Sequence, residues 1–160
     1  EECQKLIEKY AGMSNLDLHE AFYLIEKNKE EAYLSGPKTD EQIKNLEEVL
    51  GISLPPSYKE FLRRYGRGGV GGTDFLGIDS SVESESIEET LKNRQFGLPL
   101  QCIIITKDGD GSYCAIDCSK KNAEGESPII RWSSFSKPEK IAEDFGEFML
   151  ADLKNVLGIK

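Results

Sequence analysis

The sequence has no hydrophobic run long enough to cross a membrane. Cys102–Ile105, for example, has only the length of a buried strand, whereas a spanning helix needs about 20 apolar residues. Residues 1–5 (Glu-Glu-Cys-Gln-Lys) also lack the basic start and apolar middle of a secretion signal. We therefore expect a protein of the cytoplasm with no membrane partner.

Cysteine is scarce, and its spacing indicates neither a disulfide framework nor a metal centre. The four cysteines lie at positions 3, 102, 114 and 118 of a chain of 160 residues, which is long enough to fold without disulfides. Cys114 and Cys118 fall on one predicted strand, about 13 Å apart at about 3.3 Å per residue, too far for two ligands of one zinc ion. We expect reduced, mostly buried thiols, no metal and no cofactor.

Basic residues are outnumbered by acidic ones. Lysine and arginine total 20 against 29 aspartates and glutamates, which gives a net charge of −9 and a pI near 4.8. Such a charge repels phosphate backbones and anionic membrane surfaces, so direct nucleic-acid binding is not expected. It favours a basic protein partner, although acidity that serves only solubility is an equally open interpretation.

Histidine occurs only once, and no nucleophile–base pattern accompanies it. His19 lies in a predicted helix beside Glu20, and we expect a chain that is not an enzyme. The turn sequence 108–112 (Asp-Gly-Asp-Gly-Ser) is similar to the start of a calcium loop, but position 12 of that loop would be Ser119 instead of glutamate. A β-hairpin turn is the favoured interpretation.

The glycine-rich run at 66–72 is the remaining candidate for a small-ligand site. It has arginines nearby, but it lacks the lysine and Ser/Thr of a P-loop and follows a helix where a P-loop follows a strand. A structural turn is favoured, and an uncharacterised small-ligand-binding protein stays an alternative.

Helix signals fill the first third of the chain. Ser14 is a candidate N-cap for a helix whose apolar face extends over 16–25. Thr39 and Gln42 have the spacing of a capping box, and the helix they begin is predicted to end at Gly51.

A third helix begins at the proline pair 55–56, because proline is tolerated in the first turn. Tyr58, Phe61 and Tyr65 follow at helical spacing. Together with Trp132 on a later strand, they are assigned to the hydrophobic core, with a binding surface as the alternative.

Strands dominate the middle of the chain. Phe75–Ile78 is a short strand candidate, 103–106 is predicted to be buried on both faces, and 113–118 completes a hairpin with it. A further strand covers 128–132. Ser86 and Glu89 have capping-box spacing and begin a short helix through Leu91.

The last helix is predicted to begin at Ser136, with Glu139 at capping-box spacing and an apolar stripe that runs from Ile141 to Leu157. Helices first, strands in the middle and a helix last indicate one α+β domain over 1–160. In it, N-terminal helices and a C-terminal helix pack on a mainly antiparallel β-sheet.

Several of these segments together resemble the SUKH superfamily, which includes the fungal Smi/Knr-type cell-wall regulators. The segment 54–62 (Leu-Pro-Pro-Ser-Tyr-Lys-Glu-Phe-Leu), followed by Tyr-Gly-Arg-Gly-Gly at 65–69, is similar to its hallmark. Gly-Asp-Gly-x-Tyr-Cys-x-x-Asp at 109–117 and Pro-Ile-Ile-x-Trp at 128–132 are similar as well. The resemblance covers about residues 24–157 and leaves 1–23 as a helical N-terminal extension.

This resemblance implies binding in place of catalysis. Bacterial members are chiefly immunity proteins that neutralise the toxic domain of a polymorphic toxin, often a nuclease, and that role is our leading hypothesis. A non-catalytic regulatory or scaffold protein of the fungal type is the alternative.

The acidic segment 79–90, which contains five acids and no base, is the candidate partner-binding region. The predicted contact residues are these five acids and, second, two aspartates at the hairpin tip: Asp79, Glu83, Glu85, Glu88, Glu89, Asp108 and Asp110.

Overall fold

The computed structural model describes residues 15–80 and 83–160. Within them it contains these α-helices and strands: α1 Leu16–Lys27, β1 Ala32–Leu34, α2 Asp40–Leu50, α3 Pro56–Arg64, β2 Gly68–Val70, α4 Glu85–Arg94, β3 Cys102–Lys107, β4 Tyr113–Asp117, β5 Ile129–Ser133, β6 Ser136–Ala142 and α5 Phe145–Leu157. A 3₁₀ turn, Lys29–Glu31, joins α1 to β1. No helix in the described ranges is both long and apolar enough to cross a bilayer.

The strands form two antiparallel sheets. β3, β4, β5 and β6 pair in that order as a four-stranded meander, and β1 pairs with β2 as a separate ribbon. The order of the elements confirms the predicted α+β class, because α1, α2 and α3 come before the meander and α5 comes after it. Among the helices, α1 packs mainly against α5, so the two ends of the described chain are adjacent.

The local signals that begin and end the second and third helices behave as predicted. Thr39 and Gln42 form a reciprocal capping box at the start of α2, and Gly51 ends that helix in the left-handed conformation with φ of 69°. Pro56 is the first residue of α3. For α1, Asn15 is the N-cap and accepts a hydrogen bond from the Leu18 N–H. The predicted cap, Ser14, lies outside the described residues.

The start of the last helix was predicted wrongly. Ser136–Ala142 is the strand β6, and α5 begins only at Phe145, where Asp144 is the N-cap and accepts from the Glu147 N–H. The capping-box spacing at Ser136 is overridden because the segment pairs with β5 across a two-residue turn.

The structure also differs from the predictions for two short segments, 68–70 and 75–78. Residues 68–70 of the glycine run, predicted as a turn, are the strand β2, and residues 75–78 contribute only an isolated bridge between Phe75 and Gly68. Glycine is required at position 68, since a Cβ there would overlap the Tyr33 carbonyl oxygen on β1.

The N-cap of α4 is Ser84 and not Ser86, which was predicted to begin this helix. Ser86 is buried and donates its hydroxyl to the Ile104 carbonyl at 2.5 Å.

The four-stranded sheet is covered on both faces. Alternate residues of β3 enter different clusters: Ile103 and Ile105 face the helices, and Ile104 faces the opposite side with Trp132. This confirms that β3 is buried on both faces and that Trp132 is a core residue. The ring of Phe61 is fully buried and contacts other aromatic rings at centroid distances of 5.6–6.2 Å: Tyr58, Tyr65, Phe75 and Phe145.

A buried carboxylate joins the sheet to α3. Glu126, on the β4–β5 loop, is 4% exposed and accepts hydrogen bonds from the Ser57 N–H at 3.0 Å and the Ser57 hydroxyl. It serves as the missing cap of α3, because the N-cap Pro55 has no side-chain acceptor. Burial raises the pKa of Glu126 above its ordinary value of 4.5, and the Ser57 hydrogen bonds oppose that rise.

We expect Glu126→Gln to change how stability depends on pH. A carboxyl whose pKa is higher in the folded protein stabilises the fold most when protonated, and that contribution is lost as pH rises from about 4.5 through the folded pKa. The free energy of unfolding of the wild type minus that of the variant, measured by urea unfolding, should therefore fall as the pH rises from about 4 to about 7. Glu124→Gln, an exposed carboxylate of the same loop, is the control. A difference that stays constant with pH would contradict this assignment.

Candidate protein-binding surface

A groove of about 530 Å³ lies between α2 and the segment that leads into α4. Its described lining residues are Thr39, Glu41, Gln42, Lys44, Asn45, Leu46, Glu48, Ile78, Ser80, Glu83, Ser84 and Ile87. We call it the acidic groove, because three of its four charged lining residues are glutamates.

The acidic groove combines an apolar floor with charged walls. Leu46 and Ile78 are buried, at 1% and 5% exposure, while Glu41, Glu48 and Glu83 are exposed. Glu41 and Glu48 are seven residues apart, so they lie on the same face of α2, two turns from each other. Glu83 faces them from the other wall. A basic, partly apolar polypeptide segment is the complementary ligand for such a surface.

Both walls of the acidic groove are held by local hydrogen bonds. The capping box at Thr39 fixes the start of α2. On the other wall, Ser84 donates its hydroxyl to the Gly77 carbonyl at 2.6 Å and accepts from the Ile87 N–H at 3.2 Å. The start of α4 is thereby tied to the residues that form the groove floor.

Two of the predicted contact residues are engaged inside the protein. Arg67, whose side chain is 14% exposed, bonds Asp79 at 2.7 Å and Glu85 at 2.8 Å, and also holds Asp74 with two nitrogens. Lys107 forms a further ion pair with Glu85. We call these five residues the Arg67 cluster. Asp79 and Glu85 are thus paired with cations inside the protein, which makes them weaker candidates for contact with a partner.

The electrostatics of the Arg67 cluster agree with its geometry. Hydrogen bonds from Lys107 and then Arg67 hold the pKa of Glu85 below its ordinary value, against its partial burial. Asp79 also accepts the Glu85 N–H at 2.8 Å. The cluster therefore fixes the N-terminal end of α4 relative to β2 and β3.

Replacing Arg67 by methionine should lower the free energy of unfolding by about 2 kcal/mol. Removing one partner of a buried ion pair costs about 3–5 kcal/mol, and the figure is reduced here because the carboxylates keep a quarter to a half of their exposure. Chemical denaturation measures the change. Arg63→Met, which removes a half-exposed ion pair with Asp40, should cost less than about 1 kcal/mol. Equal losses in the two variants would contradict a structural role for the cluster.

The other predicted acids fall into two groups. Glu83 lines the acidic groove, Glu88 is exposed on α4, and Glu89 is half-buried and pairs with Lys92 at 3.6 Å. Asp108 and Asp110 lie at the β3–β4 turn and do not line this groove.

At the hairpin tip, both aspartates are engaged by Ser112. Its hydroxyl contacts Asp108 at 3.0 Å and Asp110 at 2.6 Å. This hydroxyl and the Ser112 N–H lower the pKa of Asp110. Asp108 also pairs with Arg131 at 3.5 Å. These aspartates stabilise the turn, and the structure does not bring them together with Glu83.

Sequence reasoning missed Glu41, Glu48 and the apolar floor. The signal that could have found the two glutamates is their spacing of seven on a predicted helix. What the sequence did not reveal is that this face of α2 lies opposite residues 78–80 and 83–87.

Within residues 15–80 and 83–160, the histidine and the cysteines are buried in the core. His19 is 1% exposed, and burial lowers its pKa while the charge of Glu60 acts in the opposite direction. Burial raises the pKa of Cys102 and Cys118 to about 12 and that of Cys114 to about 11, which makes these free thiols unreactive. Among the described residues, no group of three or more His, Cys, Asp or Glu side chains could hold a metal ion.

Comparison with protein families gives a match over most of the chain. The SUKH_5 family model, described as SMI1-KNR4 cell-wall, matches residues 18–154. The match begins earlier than the resemblance at about 24, so it includes most of α1, of which only the part up to residue 23 was predicted to belong to an extension. The matched region also contains α2, α3, both sheets and the acidic groove. The chain therefore belongs to the SUKH superfamily, in its SMI1-KNR4 family.

Proposed function

We propose that this chain is a cytoplasmic immunity protein that binds a cognate toxin domain stoichiometrically and blocks its active site or substrate groove. The observation that carries the proposal is the acidic groove, whose exposed glutamates surround an apolar floor. The glutamates attract a basic segment of the toxin, and the floor accepts its apolar side chains. If the toxin is a nuclease, these carboxylates occupy the place of nucleic-acid phosphates.

Family membership supports a role in binding. Members of the superfamily are generally non-catalytic immunity or regulatory proteins. Residues 68–70 of the glycine-rich run, which was the candidate small-ligand site, form β2, and the Arg67 guanidinium beside them is occupied by three carboxylates. Neither feature favours a small anionic ligand. We therefore assign function to the surface of the domain and not to a catalytic centre.

A regulatory scaffold is the second candidate. The observation that favours it is the description of the matched family, SMI1-KNR4 cell-wall. Such a protein would use the same acidic groove to hold a basic segment of a host protein without neutralising a toxin.

Co-expression distinguishes these roles. The C-terminal domain encoded by the gene next to this one is expressed in a test bacterium, alone and together with this chain. We expect growth arrest that is rescued by the chain, and co-purification of a one-to-one complex. Arrest with neither rescue nor complex would contradict immunity against that domain. A complex without any growth arrest from the partner would favour the scaffold.

A further inference from the structure

A second pocket, of about 250 Å³, lies between the end of β3, the C-terminal half of α5 and the loop at 72–74. It shares no described lining residue with the acidic groove. Small-molecule sites usually measure about 300–1,000 Å³, so this pocket suits one side chain of a protein better than a whole small ligand. Its described lining residues include three aspartates and one lysine. We call it the Asp152 pocket.

Asp152 carries a charge that the described part of the chain leaves unpaired. It is half-buried on α5, and its side chain forms no hydrogen bond or ion pair within residues 15–80 and 83–160. Arg131, whose charge acts on it, is bonded to Asp108 at 3.5 Å. Burial and then the charge of Asp108 raise the pKa of Asp152. Because a partly buried carboxylate without a partner opposes folding, we look for its cation in a ligand.

Two other charged residues of the pocket are already engaged. Asp74 is held by two nitrogens of Arg67, at 3.1 and 2.7 Å. Lys107 forms an ion pair with Glu85, which does not line the pocket. The one lysine among the described lining residues is therefore committed to a carboxylate outside the pocket, and the pocket keeps an excess of negative charge.

A buried hydroxyl faces the same space. Thr106 lines the pocket from β3 and is 9% exposed. It lies directly opposite Cys114, which belongs to the core on the helix side of the sheet, so its side chain projects towards α5. Its oxygen has no hydrogen bond of normal geometry within the described residues, and the nearby Cys114 thiol is only a weak partner. The hydroxyl adds an acceptor beside the carboxylates.

We propose that the Asp152 pocket receives the guanidinium group of an arginine from a protein partner. A guanidinium has five N–H donors in one plane and can donate to Asp152, Asp108 and the Thr106 hydroxyl, whereas a lysine ammonium is a compact, strongly hydrated point charge. Leu76 and Val156 also line the pocket and offer apolar surface to the methylene groups of the side chain. This inference rests on the proposed function in taking a basic protein as the partner, but its test does not need that protein.

An amide chemical-shift titration of the isotope-labelled full chain with a blocked arginine, N-acetyl-arginine methylamide, tests the pocket. The same compound made from citrulline has nearly the same shape and no charge, so it is the matched control ligand. We expect saturable shifts at Thr106, Asp108 and Asp152 with a dissociation constant of about 1–20 mM. The citrulline compound should bind at least about tenfold more weakly, because it lacks the charge that strengthens the hydrogen bonds.

Two variants assign the binding to the pocket. Asp152→Asn should weaken binding of the blocked arginine by about tenfold. Glu124→Gln makes the same change in net charge at an exposed position that does not line the pocket, and it should leave binding unchanged. An amide spectrum that is unaltered away from the substituted position establishes that each variant is folded.

Three results would each overturn the inference: no shifts at the pocket, equal binding of the arginine and citrulline compounds, or Asp152→Asn that binds as tightly as wild type. Free arginine distinguishes the source of the guanidinium. Its α-carboxylate is repelled by the aspartates, so it should bind more weakly than the blocked form, and tighter binding would point to the free amino acid and overturn a protein partner. Failure of the growth-rescue experiment would leave these results unaffected, so the two proposals fail separately.

Discussion

Replacing Glu48 and Glu83 together by lysine should slow association with the partner domain by about 10- to 100-fold at low salt. Long-range attraction between an acidic surface and a basic ligand raises association rates by up to about 10³-fold, and salt screens it. The two glutamates are exposed on opposite walls of the acidic groove. Stopped-flow or surface plasmon resonance at two salt concentrations measures the rate.

A matched control separates the groove from the overall charge. Glu30→Lys with Glu31→Lys makes the same change in net charge on an exposed 3₁₀ turn that does not line the groove. We expect this pair to slow association much less and to leave most of the salt dependence in place. Identical effects of the two double variants would assign the attraction to net charge alone.

Phe61→Ala should lower the free energy of unfolding by about 3–5 kcal/mol, the cost of truncating a fully buried aromatic ring. Phe61 is the residue of α3 whose ring contacts four other aromatic rings, so little around it can move to fill the cavity. Tyr33→Ala, at an exposed aromatic position, should cost less than about 1 kcal/mol. A loss for Phe61→Ala as small as that of the control would contradict the assignment of the segment 54–65 to the core.

The parts of the fold that were predicted correctly are those specified by local sequence. Thr39 and Gln42 begin α2 through their own side chains, and Gly51 ends it through its own backbone conformation. The β3–β4 hairpin is fixed by a turn of five residues between two apolar runs. Each of these signals acts over a few residues, so no knowledge of the tertiary structure is needed to interpret it.

The parts that were missed or predicted wrongly depend on strand pairing. β1 and β2 pair over more than thirty residues of sequence and consist of three residues each, so no apolar alternation reveals them. At Ser136 the spacing of a helix cap is present, but pairing with β5 determines the structure. Pairing between strands overrides local preference in both cases.

Only part of the candidate site was predicted, because the residues that complete it lie outside the acidic segment. The acidic segment 79–90 contains no base, so all five acids were assigned to partner contact. The cations that pair with Asp79 and Glu85 come from outside the segment, from Arg67 and Lys107. Glu83 is the predicted acid that lines the groove, and its neighbours across the groove come from α2.

The central claim is that the partner occupies the acidic groove, and an amide chemical-shift map of the isotope-labelled chain tests it most directly. The domain that co-purifies with the chain is titrated into it, and shifts are followed along the sequence. The account predicts that the largest shifts fall on α2 and on residues 83–91. Large shifts confined to the hairpin tip at 108–112 or to β1 and β2, with α2 unchanged, would contradict it.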